Sequence, residues 1–170
     1  ELLYLAESVE RIGERIASNE NGNLVLRIPK SIDVIEGRQD FSSFAAYTFE
    51  GEGNGVEIVD KMFVNNRKDG SRVLLEVDPK MVEDGVLTIP EGITALGVGA
   101  LSYVEADKII LPEGLTSIGQ DAFFESTVKE IVTPSTLKQL GEQAFNNASK
   151  LEKVTIPESI ETLPYGCFLH

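Results

Sequence analysis

The chain restates itself roughly every 22 to 23 residues, the period of a stacking repeat, and that repetition limits what it can fold into more than any other feature. Prolines stand at Pro90, Pro112, Pro134 and Pro157, and glycines at Gly97, Gly119 and Gly141. A small-then-large pair follows at Ala100-Leu101, Ala122-Phe123, Ala144-Phe145 and Cys167-Phe168. A unit this short cannot bury its own apolar side chains, so neighbouring units must stack into a continuous core. The repeat therefore specifies a solenoid, and whatever such a chain binds is met by side chains on the outside of the stack.

Each position of the unit has a physical reading. In Leu87-Thr88-Ile89-Pro90, Ile109-Ile110-Leu111-Pro112, Ile131-Val132-Thr133-Pro134 and Val154-Thr155-Ile156-Pro157 a short strand sends its first and third residues inward and its second outward. Proline, with no ladder donor and a fixed φ, suits the point where the chain leaves the sheet. Ile93 and Leu96, Leu115 and Ile118, Leu137 and Leu140, and Ile160 and Leu163 are expected to fill the coils. The glycine is expected to permit a tight bend. The small-then-large pair is expected on a short helical or 3₁₀ turn, with phenylalanines stacking as a spine that Leu101 interrupts.

Outside this regular block the pattern loosens. Residues 1–42 read as two degenerate repeats: Ala6 takes the proline slot one period before Pro29, and Leu26, Ile28, Ile32 and Ile35 restate the apolar positions. Val9, Ile12 and Ile16 fit one face of a helix as well, but the register with Pro29 favours the repeat. The large-residue slots hold Ile16-Ala17 and Asp40-Phe41, and Asn19 to Asn23 read as a turn. Residues 43–85 read as a β-rich insertion with runs at 44–49, 56–64 and 72–77, parted by turn formers at 50–55 and 65–71. Residues 86–170 hold four regular repeats, the last truncated.

On these residues the unit resembles the BspA-type leucine-rich repeat, in which a strand, Pro, two apolar positions, Ile-Gly and Ala-Phe recur with the same period. The resemblance is specific from Val86 to Phe168, and 56–77 is similar to the hairpin insertion of such proteins. It implies an α/β repeat solenoid, a right-handed superhelix with short parallel strands on one face, short helical or 3₁₀ turns opposite, and an inserted β-hairpin or meander. It also implies a bacterial or protist protein, secreted or held at the cell surface, that adheres to host proteins or other cells. The family offers no catalytic residue to carry over.

Charge narrows the partners. Fifteen Lys and Arg against 28 Asp and Glu leave a net −13, which opposes nucleic acid and anionic membranes. The longest uncharged stretch, 92–104, has 13 residues, short of the ~20 that a spanning helix needs. One cysteine cannot close an internal disulfide. Neither a targeting signal nor an anchor is legible in the chain, and nor is its oligomeric state.

The outward strand positions Tyr4, Arg27, Thr88, Ile110, Val132 and Thr155, flanked by Lys108, Glu130 and Lys153, form the candidate site. Neighbouring strands lie ~4.8 Å apart, so Ile110 and Val132 would make an exposed apolar ladder bordered by charge. That suits a protein, glycoprotein or glycan partner, host extracellular matrix among the candidates, met by this face or by the inserted hairpin. The competing reading is that β-branched residues simply favour strands, in a stiff spacer that presents another domain.

Other constellations carry less. Glu7, Glu91, Glu113 and Glu158 follow the proline slot, but Lys30 and Ser135 break the column of oxygen donors that a hard cation requires. The stretch from Asn65 to Glu76 mimics a calcium loop at Asp69, Gly70 and Glu76, yet Arg67 would set a cation against the metal, and a hairpin turn is expected. Cys167 and His170 are the only Cys and His, and Cys167 occupies the repeat's alanine slot, which argues for packing rather than catalysis. Gly51 to Gly55 lacks the lysine and helix of a phosphate loop, and Asn147-Ala148-Ser149 is a sequon only in a eukaryotic secretory setting. No metal, cofactor or enzymatic activity is expected.

Overall fold

A computed structural model of the chain describes residues 2–13, 25–37, 46–50 and 55–169. Its strands are β1 (Leu2–Tyr4), β2 (Arg11–Ile12), β3 (Val25–Pro29), β4 (Val34–Ile35), β5 (Ala46–Glu50), β6 (Val56–Val59), β7 (Met62–Asn66) and β8 (Arg72–Val77). They continue as β9 (Val86–Thr88), β10 (Ala95–Leu96), β11 (Lys108–Ile110), β12 (Ser117–Ile118), β13 (Glu130–Val132), β14 (Gln139–Leu140) and β15 (Lys153–Val154). Among the described residues the helical content is one 3₁₀ turn, Pro79–Met81. The solenoid is therefore a β-solenoid, and the expected α/β character is not observed.

Each regular coil has three sides. The first strands form one parallel sheet in the order β9-β11-β13-β15, and the second strands form another in which β8, β10, β12 and β14 are successive neighbours. Lys108, Glu130 and Lys153 lie in register, as do Leu74, Leu96, Ile118 and Leu140. The sequence unit and the structural coil are thus the same object. Leu87, Ile109 and Ile131 point inward with Ile89 and Leu111, while Ile93, Leu115 and Leu137 seal the corner after each proline; all are buried. Of the second residues expected to fill the coils, Leu96 and Ile118 do so from strands, Leu140 is half-buried on β14, and Leu163 is exposed rather than in the core.

The third side corrects the expected helical turns, for a reason visible in the backbone. The N–H groups of Gly99, Leu101 and Tyr103 donate to the carbonyls of Gln120, Ala122 and Phe124 in the next coil. Those of Asp121, Phe123 and Glu125 donate in turn to Glu142, Ala144 and Asn146. The alternate N–H groups, of Ala100, Ser102 and Val104, close local turns onto Gly97, Gly99 and Leu101. Every second donor is therefore spent on the neighbouring coil, where a helix would need it within the segment. The conformation that permits this has two left-handed residues per coil, at Gly99 and Tyr103, Asp121 and Glu125, and Gln143 and Asn147.

The repeated glycine also has a different role from the one expected. Gly97, Gly119 and Gly141 are absent from the positive-φ residues. A Cβ at Gly119 would lie 2.7 Å from the carbonyl carbon of Gly97, and one at Gly141 would lie 2.3 Å from the backbone nitrogen of Gln120. Glycine is kept here by the close approach of one coil's backbone to the next, not by a bend. The aromatic spine forms as anticipated: Phe123 and Phe145 stack at 5.2 Å, and Phe145 and Phe168 at 4.9 Å.

Toward the N terminus, β1, β3 and β5 form a parallel sheet, and β2 pairs with β4 beside it. Leu2, Val25 and Ala46 are register partners, so β5 extends this parallel sheet, and antiparallel pairing is seen from β6 onward. The pairs Ile16-Ala17 and Asp40-Phe41 and the turns at 19–23 and 51–54 lie outside the described residues. The insertion is a meander, β6-β7-β8, whose last strand turns back into the solenoid by pairing in parallel with β10.

The inner strands of this meander, β7 and β8, are buried on both faces. Met62, Val64, Leu74 and Val77 join the core of the C-terminal coils, whereas Val56, Phe63, Val73 and Leu75 join the N-terminal core with Leu26, Ile28 and Ile35. A bulge between β7 and β8 pairs Phe63 with Glu76 and Val64 with Leu74, leaving Leu75 unmatched. That extra residue resets the alternation, so Val77 faces the same core as Leu74. Asn65 is fully buried in the wall, and its Oδ1 accepts the Ile35 N–H at 3.3 Å.

Candidate functional site

The seven candidate residues of the C-terminal coils meet on one sheet. Thr88, Ile110 and Val132 are register neighbours along β9, β11 and β13, and Thr155 follows directly after β15. Thr88, Val132 and Thr155 are exposed, Val132 at 37%, and Ile110 is half-buried, so the apolar step of this ladder is short. Inward-facing Ile109 and Ile131 fix the strands from beneath, which makes the outer positions a rigid platform.

A charged row runs beside it. Glu130 accepts Lys153 Nζ at 2.8 Å and pairs with Lys108 Nζ at 3.3 Å, one lysine from each neighbouring coil. The hydrogen bond from Lys153, then that from Lys108, holds the Glu130 carboxyl below its ordinary range. Lys129 and Asp107 form a second pair at the edge where the chain enters the strands, and it lowers the Asp107 pKa and raises that of Lys129. These are exposed pairs on successive coils, so they set the pattern of charge more than they set stability.

Tyr4 and Arg27 belong to a different sheet. They are register partners on β1 and β3, with Tyr4 at 54% exposure, and among the described residues no strand pairing joins β5 to β9. On the side of β9 away from β11 lies a groove of about 670 Å³ lined by Asp60, Lys61, Met81, Glu83, Asp84, Val86 and Thr88. The nine residues therefore make two patches, of which the C-terminal one is continuous in register. Strand alternation alone cannot reveal the interruption, since it arises where the meander replaces a coil.

The remaining constellations resolve individually. Cys167 is buried in its alanine slot, where burial raises the thiol pKa, and His170 lies outside the described residues. The segment 67–71 is a hairpin turn in which the Asp69 carboxylate accepts the Ser71 N–H and hydroxyl, which lowers its pKa. Glu113 is engaged by Ser135, one coil on. Among the described residues no three His, Cys, Asp or Glu side chains converge as metal ligands, and no helix is long and apolar enough to cross a membrane. A feature the repeat reading passed over is Tyr103, an exposed aromatic on the turn side with its ring against Phe124. Its signal in the sequence is that the equivalent positions hold Glu125 and Asn147.

Stacked coils with parallel strands, a proline corner and a turn ladder define the molecule as a leucine-rich-repeat solenoid. The sequence model of the family described as BspA type leucine rich repeat region (6 copies) matches residues 85–170, half of the chain. The chain belongs to this family. No curated protein sequence matches it. Among solved structures it is similar to a leucine-rich repeat protein from Eubacterium ventriosum, with a TM-score of 0.70 at 20% identity over 97% of this chain and 45% of that one. A leucine rich cell surface protein from Faecalibacterium prausnitzii gives a TM-score of 0.58 at 21% identity over 96% of this chain and 49% of that one. The pneumococcal vaccine antigen PcpA gives 0.57 at 19% identity over 96% and 52%. These likenesses concern the fold, and the chain spans about half the length of each of these structures.

Proposed function

We propose that this chain is a non-enzymatic binding module that presents the β9–β15 sheet to a protein or glycoprotein partner at or beyond a bacterial cell surface. The observation that carries the reading is the juxtaposition of Ile110 and Val132 in register beside the Lys108-Glu130-Lys153 row. A small apolar step edged by fixed charges of both signs can be desolvated by a complementary partner and still discriminate among partners. The cell-surface description of the Faecalibacterium protein supports an extracellular setting. Adhesion to host matrix is the form of this function that the reading favours.

A second reading, a spacer that holds another domain away from the cell, is supported by the hydrogen-bonded ladders that run from coil to coil on all three sides. Binding of the purified chain to immobilised extracellular-matrix and plasma glycoproteins, with calcium varied and an Ile110→Lys/Val132→Lys variant alongside, separates the two. Saturable binding lost in the variant supports the module. Absence of binding to every panel member by folded protein supports the spacer.

A further inference from the structure

We propose that the turn side of the solenoid carries a groove for a neutral carbohydrate, independent of the strand face. The groove has a volume of about 450 Å³, within the ~300–1,000 Å³ of small-ligand sites. Tyr103 and Phe124 line it as aromatics, and Gln120, Asp121, Gln143 and Asn146 line it as polar groups from successive coils.

The aromatic pair is not something the coil demands. Tyr103, Glu125 and Asn147 occupy equivalent positions with φ of 62°, 52° and 54°, a left-handed region that suits asparagine and disfavours a bulky ring. The position of Phe124 holds Ser102 and Asn146 in the neighbouring coils. Both aromatics are therefore additions to the repeat, and they sit edge to face with centroids 5.7 Å apart at 88°. Tyr103 remains 49% exposed and lines the groove, so part of the residue is accessible to a ligand there.

The polar groups suit hydroxyl pairs. Each of the three amides offers a donor and an acceptor in one plane, and Asp121 offers acceptors alone. Gln120 Nε2 donates to Asp121 Oδ2 at 3.1 Å, which steadies that carboxylate. Asp121 and Gln143 are anchored through backbone N–H groups bonded to the next coil, so their side chains start from fixed positions. A pyranose presents an apolar C–H face to an aromatic ring and a rim of hydroxyls to such groups. Among the described residues lining the groove none is basic, and the net charge of −13 opposes sialylated or sulfated sugars.

The test is titration calorimetry and saturation-transfer NMR of the full chain with chitotriose, mannotriose and N-acetyllactosamine, against 3′-sialyllactose and a heparin hexasaccharide. Saturable binding of a neutral sugar is expected, weakened about tenfold or more by Tyr103→Ala and by Gln143→Ala, as for a central contact residue. Tyr103→Phe and Val132→Lys should retain it, and retention in Val132→Lys separates this groove from the strand face. Should Tyr103→Ala melt early, Gln143→Ala and Tyr103→Phe carry the comparison. No binding of any neutral sugar at millimolar concentration, preference for the anionic arms, or undiminished binding in both Tyr103→Ala and Gln143→Ala would overturn the proposal.

Discussion

Phe145 stacks on Phe123 with the rings inclined by only 17°, and on its other face lies Phe168, inclined by 9°. One residue thus links three coils. Phe145→Ala removes a fully buried ring and both stacking contacts, and should cost about 3–5 kcal/mol. In an array of few coils that is much of the stability, so denaturant unfolding should shift to a clearly lower midpoint. Phe168→Ala, at the exposed end of the spine, should cost less.

Gly119→Ala should destabilise by about 1–3 kcal/mol, because the new methyl meets the backbone of Gly97 and Leu96 rather than a side chain that could move aside. Gly13 has nothing within 4 Å of its Cβ position and no left-handed φ. Gly13→Ala should accordingly be neutral or stabilising by up to about 1 kcal/mol through the unfolded state. Thermal melts of the two variants side by side distinguish close approach from backbone flexibility as the reason for the repeated glycine.

Glu130 makes stability depend on pH in a definite direction. Its carboxyl is held below the ordinary value of 4.5 by Lys153 and Lys108, so it releases its proton more readily folded than unfolded. The contribution is complete above the ordinary value and is lost as pH falls through the lowered folded value. Glu130→Gln should lower stability slightly at pH 7, match the parent chain in acid where the carboxyl is protonated, and so flatten the acid side of a plot of Tm against pH. An acid limb identical to that of the parent chain would contradict this assignment.

Asn65 is buried in the β7 wall, and its Oδ1 is the acceptor for Ile35 N–H. Asn65→Ala leaves that buried donor unmet and should cost about 1–3 kcal/mol. Hydrogen exchange should report the loss first in residues 25–37, ahead of the coils after Val86, since the bond ties the N-terminal stack to the meander.

What is legible in the sequence is what recurs. Pro112, Gly119 and Ala122-Phe123 announce the coil because their counterparts one period away on either side repeat them, and the spine follows directly. The turn side reads as helical because its deciding bonds, such as Leu101 N–H to Ala122, are not local, and a short segment with left-handed residues at each end carries no periodicity of its own. The two-faced wall leaves a trace in the unbroken apolar runs Met62-Phe63-Val64 and Val73-Leu74-Leu75, the pattern of strands buried on both sides. What lies beyond reading is that β8 rejoins the parallel stack. On the candidate face, alternation finds the outward residues correctly for β9 to β13 but gives no sign that Tyr4 and Arg27 lie on another sheet.

The most direct test of the strand face is photo-crosslinking to a partner identified in the binding panel, with benzoylphenylalanine placed singly at Val132, at Ile58 on the exposed meander strand, and at Tyr103 on the turn side. The account predicts crosslinks from position 132 and none from position 58. Crosslinks confined to 58 or 103, with position 132 silent in a folded and binding-competent protein, would contradict it.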